Sequence, residues 1–161
     1  MNGDHTMPGS IIVASSCAPF SPPATALSGA LWDEIQHRYG FTASNPLDRA
    51  AFTEPVGGFW VATVNGHPVG SIALAPLEGP AAETDVMYVA PQHRGTGVAQ
   101  VLLAALEDHA RAAGVSVLRL RAGEPQPEAL AFYTAAGFMP IPPFGKWIGD
   151  DTARCFEKFL S

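Results

Sequence analysis

The chain has 161 residues, 47% of them hydrophobic and 15% charged, with a formal net charge of -6 at pH 7. That length and balance suit one globular domain with its own core, and the acidic sum argues against nucleic acid or another polyanion as a general partner. No apolar run reaches the length of a membrane span, and the opening MNGDHTMPGS lacks the basic start of a secretory signal, so a soluble cytoplasmic protein is expected, with residues 1–10 as a flexible N-terminus.

Residues 11–16, IIVASS, predict a short first strand. After the pair Pro22-Pro23, ATALSGALWDEIQHRYG predicts an amphipathic helix ending at Gly40, with Leu27, Ala30, Leu31, Trp32 and Ile35 toward the core. NPLDRAAF predicts a second short helix, with Asn45 as its cap and Pro46 in its first position. Two apolar runs, FWVATV and HPVGSIALAP, flank Asn65-Gly66, the preferred pair for a tight hairpin turn. AETDVMYVA is another strand. Val98, Val101, Leu102, Ala105, Leu106 and His109 then trace one face of a helix that stops at Gly114. VSVLRLRA predicts a strand with Val117, Arg119 and Arg121 on one face and Leu118 and Leu120 on the other. PEALAFYTAAGF is a short helix with Pro127 early and Gly137 at its end, and RCFEKFL closes as an alternating strand. This order predicts an α/β fold with a sheet of mixed direction and helices on its faces.

Arg94-Gly95-Thr96-Gly97 stands where a helix begins, although glycine is the poorest ordinary helix former. A helix start offers unpaired N–H groups and the positive end of the helix dipole. Glycines let an anion approach those amides, and Arg94 adds a charge-assisted contact, so the stretch suits a phosphate. An ordinary strand-to-helix turn is the plainer alternative. A dinucleotide fingerprint fits poorly, because Gln100 stands where the third glycine belongs, and no Walker pattern occurs. Cys17 and Cys155 lie far apart without metal spacing or a local base, so two free thiols are expected. His37, His67 and His109 have no ligand spacing, and no metal is assigned; His109 is expected as a packed histidine.

The segment Arg94-Gly95-Thr96-Gly97-Val98-Ala99 resembles the (Arg/Gln)-x-x-Gly-x-(Gly/Ala) signature of the GNAT superfamily of acyl-CoA N-acyltransferases, in particular its small single-domain bacterial members. PQPEALAFYTAAGF resembles the family's later N-x-x-A-x-x-(L/F)-Y-x-x-x-G-F segment, with Gln126 in place of the usual Asn. Together the resemblance covers roughly residues 59–139. It implies a mostly antiparallel sheet whose fourth and fifth strands splay apart. It also implies acetyl-CoA as co-substrate across that opening, its pyrophosphate on the amides of Arg94, Gly95, Thr96, Gly97, Val98 and Ala99. The pantetheine arm would lie along the fourth strand near Met87 and Val89, with the Val89 N–H as a candidate oxyanion donor and Gln126 as an amide contact.

An alkylamine is mostly protonated at pH 7 and attacks a thioester only as the neutral base, so a proton acceptor is needed. Glu83 matches, by spacing, a position that serves as general base in some family members; Asp85, two residues on, is the substitute, and an ordered water is a third option. Tyr133 matches the family tyrosine that protonates the departing sulfur; a core tyrosine bonded to a carbonyl is the alternative. The implied reaction is transfer of acetyl from acetyl-CoA to a primary amine, of a small molecule first and of a protein or peptide second, by direct attack in a ternary complex. A non-catalytic acyl-CoA sensor and a nucleotide-binding oxidoreductase are the rival classes. A homodimer is one assembly the resemblance allows. Trp32, Tyr39, Phe41, Trp60, Phe144 and Trp147 are candidate walls of the acceptor pocket, and Arg119 and Arg121 either meet an acceptor carboxylate or pair with Glu124 or Glu128.

Overall fold

The computed structural model describes residues 11–123 and 125–161, so the expectations for residues 1–10 and Glu124 lie outside it. Seven strands form one sheet: β1 (Ile12–Ser16), β2 (Gly58–Val64), β3 (His67–Pro76), β4 (Ala81–Val89), β5 (Val117–Gly123), β6 (Met139–Ile141) and β7 (Ala153–Phe159). Their spatial order is β1-β2-β3-β4-β5-β7-β6. All neighbours are antiparallel except β4 and β5. Three helices flank the sheet: α1 (Pro22–Tyr39), α2 (Val98–Ala112) and α3 (Pro127–Ala135).

Local chemistry explains the boundaries. Pro22 and Pro23 occupy the first turn of α1, where a missing N–H costs nothing, and Gly40 ends it at φ 74° with its N–H on the Gln36 carbonyl. Asn65 and Gly66 take φ values of 51° and 79°, the double left-handed turn that matches the twist of β2 and β3. The predicted helix at residues 45–52 is only a 3-10 turn, Arg49–Ala51. Asn45 spends its side chain on the Leu47 N–H at 3.1 Å, a local turn that competes with capping. The sequence reading also lacks β6, a three-residue strand defined by its pairing with β7.

The sheet buries both faces. On one, α2 and α3 cover Trp60, Ile72, Leu74, Leu118, Leu120 and Phe156. On the other, Ala24 and Leu27 of α1 meet Phe52, Phe59, Val61, Ala73 and Val86. The buried stripe of α2 runs through Val98, Leu102, Leu103, Leu106 and Ala110. It is rotated from the predicted seam, leaving Val101 and Ala105 half-buried. The helix lies in a broad groove over β1 to β4, so the buried strip is wider than one heptad seam. In α1, likewise, Ala24, Leu27 and Ser28 are buried, while Ala30, Leu31, Trp32 and Ile35 are only half-buried.

Two irregularities position the site. First, β4 and β5 pair only through Ala81–Val117, Ala82–Leu118 and Glu83–Arg119. Past that point β4 continues on β3 and β5 on β7, so the strands splay into the fork that the resemblance implies. Second, the register of β3 with β4 shifts between Ser71 and Ala73, leaving an extra residue in β4. Val86 there holds φ 52°, a rare conformation for a β-branched residue. Ser71 Oγ donates to the Val86 carbonyl at 2.8 Å, and the Val86 N–H donates to Asp85 Oδ1 at 2.7 Å. These two bonds hold the bulge from both sides.

Candidate active site

Between β4 and α2 the chain makes a 3-10 turn at Pro91–His93 and then the glycine loop. Gly95 and Gly97 take φ values of 76° and 99°. A Cβ at Gly95 would project into open space, as would one at Gly97 apart from Ile12 at 3.8 Å. No side chain caps α2, and the Thr96 hydroxyl is turned back onto the His93 carbonyl. Among the described residues no side chain bonds the first-turn N–H groups of α2, including those of Val98 and Ala99, and Gly95 and Gly97 present no Cβ beside them. That is the composition of an anion cradle. The Val98 side chain is itself in the core, so any contact it gives an anion is through its backbone.

The Arg94 side chain, expected to add a charged contact to the phosphate, has partners within the protein. Its Nε donates to the Val89 carbonyl at 2.9 Å, and its guanidinium pairs with Glu34 of α1 at 2.6 Å. The Val89 carbonyl is thereby occupied, while Met87 packs half-buried against the α2 and α3 core. Gln126 precedes α3 and accepts the Tyr39 hydroxyl on its Oε1 at 3.0 Å, and among the described residues its amide nitrogen donates to none.

At the fork, Glu83 is the last β4 residue paired with β5 and is only 7% exposed. Trp147, from the loop before β7, donates its indole N–H to Glu83 Oε2 at 2.9 Å. Burial pushes the Glu83 carboxyl up from its ordinary pKa; the Trp147 bond opposes this, the Asp85 charge adds to it and Lys146 reduces it. Asp85 is pushed up as well, first by burial and against the pull of the Val86 N–H and Lys146. Tyr133 is 5% exposed and packs edge-on to Phe132 and Phe138. Burial, and then the charge of Asp85, push its phenol up, so it stays protonated. Among the described residues its hydroxyl has no hydrogen-bond partner, unlike a core tyrosine tied to a carbonyl.

Glu83 stands at the closed end of the fork, and the charge of Asp85 acts on both Glu83 and Tyr133, so two carboxyls with raised pKa values and a protonated phenol are electrostatically linked. Such groups can take a proton from an ammonium and give one to a leaving group.

The other predicted contacts divide. Trp60 is in the core, edge-on to His109, whose Nε2 lies 3.0 Å from the Val56 carbonyl; it walls no pocket. Trp32 and Phe41 pack against each other outside the core, and Trp32 donates to the Ala43 carbonyl. Arg119 pairs with Glu78 and Glu157, not with Glu128, which pairs with Arg38. Arg121 is held between the Tyr39 and Trp147 rings and bonds to Tyr39, Asp150 and Thr152. Cys17 and Cys155 are free thiols, and burial pushes Cys155 up. The sequence presents Trp147 only as a candidate aromatic wall; its bond to Glu83 spans 64 residues and leaves no local signal. Glu34 was missed entirely. Its only sequence signal is its helical spacing to Arg38.

A model of the acetyltransferase (GNAT) family matches residues 25–138. The IAA acetyltransferase of Azospirillum brasilense is 37% identical over 123 residues, covering 76% of this chain and 80% of that protein. A Klebsiella pneumoniae structure assigned to the acyl-CoA N-acyltransferases superposes with a TM-score of 0.79 at 29% identity, covering 94% of this chain and 99% of that one. The PaiA N-acetyltransferase of Thermoplasma acidophilum, solved in complex with coenzyme A, shares the fold with a TM-score of 0.71 at 16% identity, covering 92% of this chain and 99% of that one.

Proposed function

The chain belongs to the GNAT family of acetyltransferases, and from that premise we propose that it moves an acetyl group from acetyl-CoA to the primary amine of a small molecule, by direct attack in a ternary complex. The observation that carries this is the fork between β4 and β5, with Glu83 at its closed end, Asp85 near enough for its charge to act on both Glu83 and Tyr133, and β4 leading through the glycine loop into α2.

The residues present fit acyl-CoA. Backbone amides from Gly95 to Ala99 would hold its pyrophosphate, with Gly95 and Gly97 leaving the approach open. The Gln126 amide nitrogen would donate from the other side of the fork. Met87 and Val89 would offer β4 backbone to the pantetheine arm along the edge that β5 leaves unpaired. Bound there, acetyl-CoA supplies the activated acyl carbon.

Glu83 is the base. Its raised pKa makes it a better match to an ammonium near neutral pH than an exposed carboxylate, and Trp147 fixes one of its oxygens, leaving the other to take the acceptor's proton. The charge of Asp85, two residues on, raises the affinity of Glu83 for the proton. Tyr133 stays protonated at neutral pH and would donate a hydrogen bond to the sulfur as the carbon–sulfur bond breaks; its raised pKa keeps the proton on the phenol, so the thiolate formed takes its proton from solvent. Burial pushes the Cys155 thiol up, away from the reactive thiolate, and no acyl-cysteine step is invoked.

A small acceptor is supported by the named substrate of the Azospirillum relative and by the walls of the fork. Trp147 lies on Glu83, and Tyr39 with Trp147 encloses Arg121. Thiol release from acetyl-CoA, dependent on an added amine, tests the proposal.

A further inference from the structure

Past Glu83 and Arg119 no sheet pairing joins β4 to β5. The arms of the fork carry the two halves of the proposed acyl-CoA site. The β4 arm leads into the glycine loop, and the β5 arm leads to Gln126 and α3. Their separation must be set by something other than the sheet.

The last turns of α1 span that gap. On the loop side, Glu34 takes the Arg94 guanidinium at 2.6 Å, while Arg94 Nε grips the Val89 carbonyl at 2.9 Å. One helical turn later, Arg38 contacts Glu34 at 3.4 Å. Arg38 also donates to the Pro125 carbonyl at 2.9 Å and pairs with Glu128 of α3. We propose that Glu34 and Arg38 form a polar tie across the mouth of the fork: they are positioning residues that hold the glycine loop against the start of α3 at the spacing an acyl-CoA requires.

The tie is more than a surface ion pair. Its central side chains are partly covered, with Arg94 32% exposed, Glu34 24% and Arg38 22%. Each arginine bonds a main-chain carbonyl as well as a carboxylate, so the link runs from backbone to backbone through rigid guanidinium forks. Charges joined in a network hold geometry better than isolated exposed pairs. Tyr39 adds a parallel strut through its bond to Gln126. In this arrangement the Arg94 side chain is part of the tie, and an anion on the loop is held by amides.

The tie's stated purpose rests on the acyl-CoA assignment of the glycine loop, so the test uses coenzyme A as its probe and adds a readout that needs no ligand. Wild type, Glu34→Gln, Arg94→Gln and the double variant would be compared by calorimetry with coenzyme A, by amide hydrogen exchange and by thermal melting. Glu34→Gln should speed exchange at both 95–99 and 126–130 while melting close to wild type. It should weaken coenzyme A binding about three- to tenfold, the range of a coupled pair. The double variant should bind no more weakly than the weaker single, because both break one link, and Glu34→Asp should recover part of the loss. Faster exchange confined to 95–99, or binding losses that simply add, would overturn the tie. If wild type binds no coenzyme A, the acyl-CoA assignment fails, and faster exchange at both segments still supports the tie while its absence overturns it.

Discussion

Trp147 donates its indole N–H to Glu83 Oε2 across 2.9 Å, from the loop before β7 to the last residue of β4 that pairs with β5. Burial raises the Glu83 pKa and this bond restrains the rise. Trp147→Phe keeps a ring over the site and removes only the donor. The carboxyl should then ionise at higher pH, and a base works only when ionised. The acid limb of the kcat/KM profile should therefore move to higher pH, with the plateau rate near wild type. A profile superimposable on wild type would show that Glu83 is not the base.

Glu83 also links stability to pH. Its folded pKa lies above its unfolded one, so the folded state binds that proton more tightly. The resulting stability is complete below the unfolded value and is lost as pH rises through the folded value. Glu83→Gln removes the charge without changing the shape. It should melt above wild type at pH 8, with the gap closing as pH falls and Glu83 becomes protonated in both states. Thermal melts of both proteins across this range check the sign; a gap independent of pH would contradict it.

The glycine loop gives a paired test. Gly97 holds φ 99°, where any side chain is strained, yet a Cβ there meets only Ile12 at 3.8 Å. Gly97→Ala and Gly97→Glu should both lose about 1 kcal/mol of stability through backbone strain. Only Gly97→Glu should also abolish coenzyme A binding, because it places a carboxylate where the phosphate would lie. Equal affinity of the two variants in calorimetry would remove the loop as the phosphate site.

Gly123, at the end of β5, carries the tightest steric constraint near the fork. A Cβ there would overlap the Tyr39 hydroxyl. Gly123→Ala should push Tyr39 off its bonds to Gln126 and Arg121, lowering stability by about 1–3 kcal/mol and weakening coenzyme A binding. Tyr39→Phe, which loses the same bonds without the overlap, should bind as weakly but melt higher. Wild-type affinity in both would free Tyr39 of any part in the site.

What sequence could reveal here follows the range of each interaction. The Asn65-Gly66 hairpin, the glycines before α2 and the end of α1 at Gly40 depend on a few neighbouring residues, so they were legible. The resemblance supplied the fork and the family, and the family model agrees. β6 was not legible, because its three residues become a strand only through β7. The Asn45 cap failed because that side chain found a nearer donor. The pairing of Arg94 with Glu34 was not legible, because the two lie 60 residues apart. The Arg38 contact to Pro125 spans 87 residues and leaves no trace in local pattern. Catalytic candidates were found by motif, whereas the groups that orient them are visible only in three dimensions.

The most direct measurement is acetyl-CoA-dependent thiol release against a panel of amino acids, polyamines, aminoglycosides and short peptides, with Tyr133→Phe beside wild type. The prediction is release with one class of small amine, and a rate reduced at least about 100-fold in Tyr133→Phe while coenzyme A affinity stays near wild type. Release indifferent to both the amine and the substitution, or confined to peptides, would contradict a small-molecule N-acetyltransferase working through Tyr133.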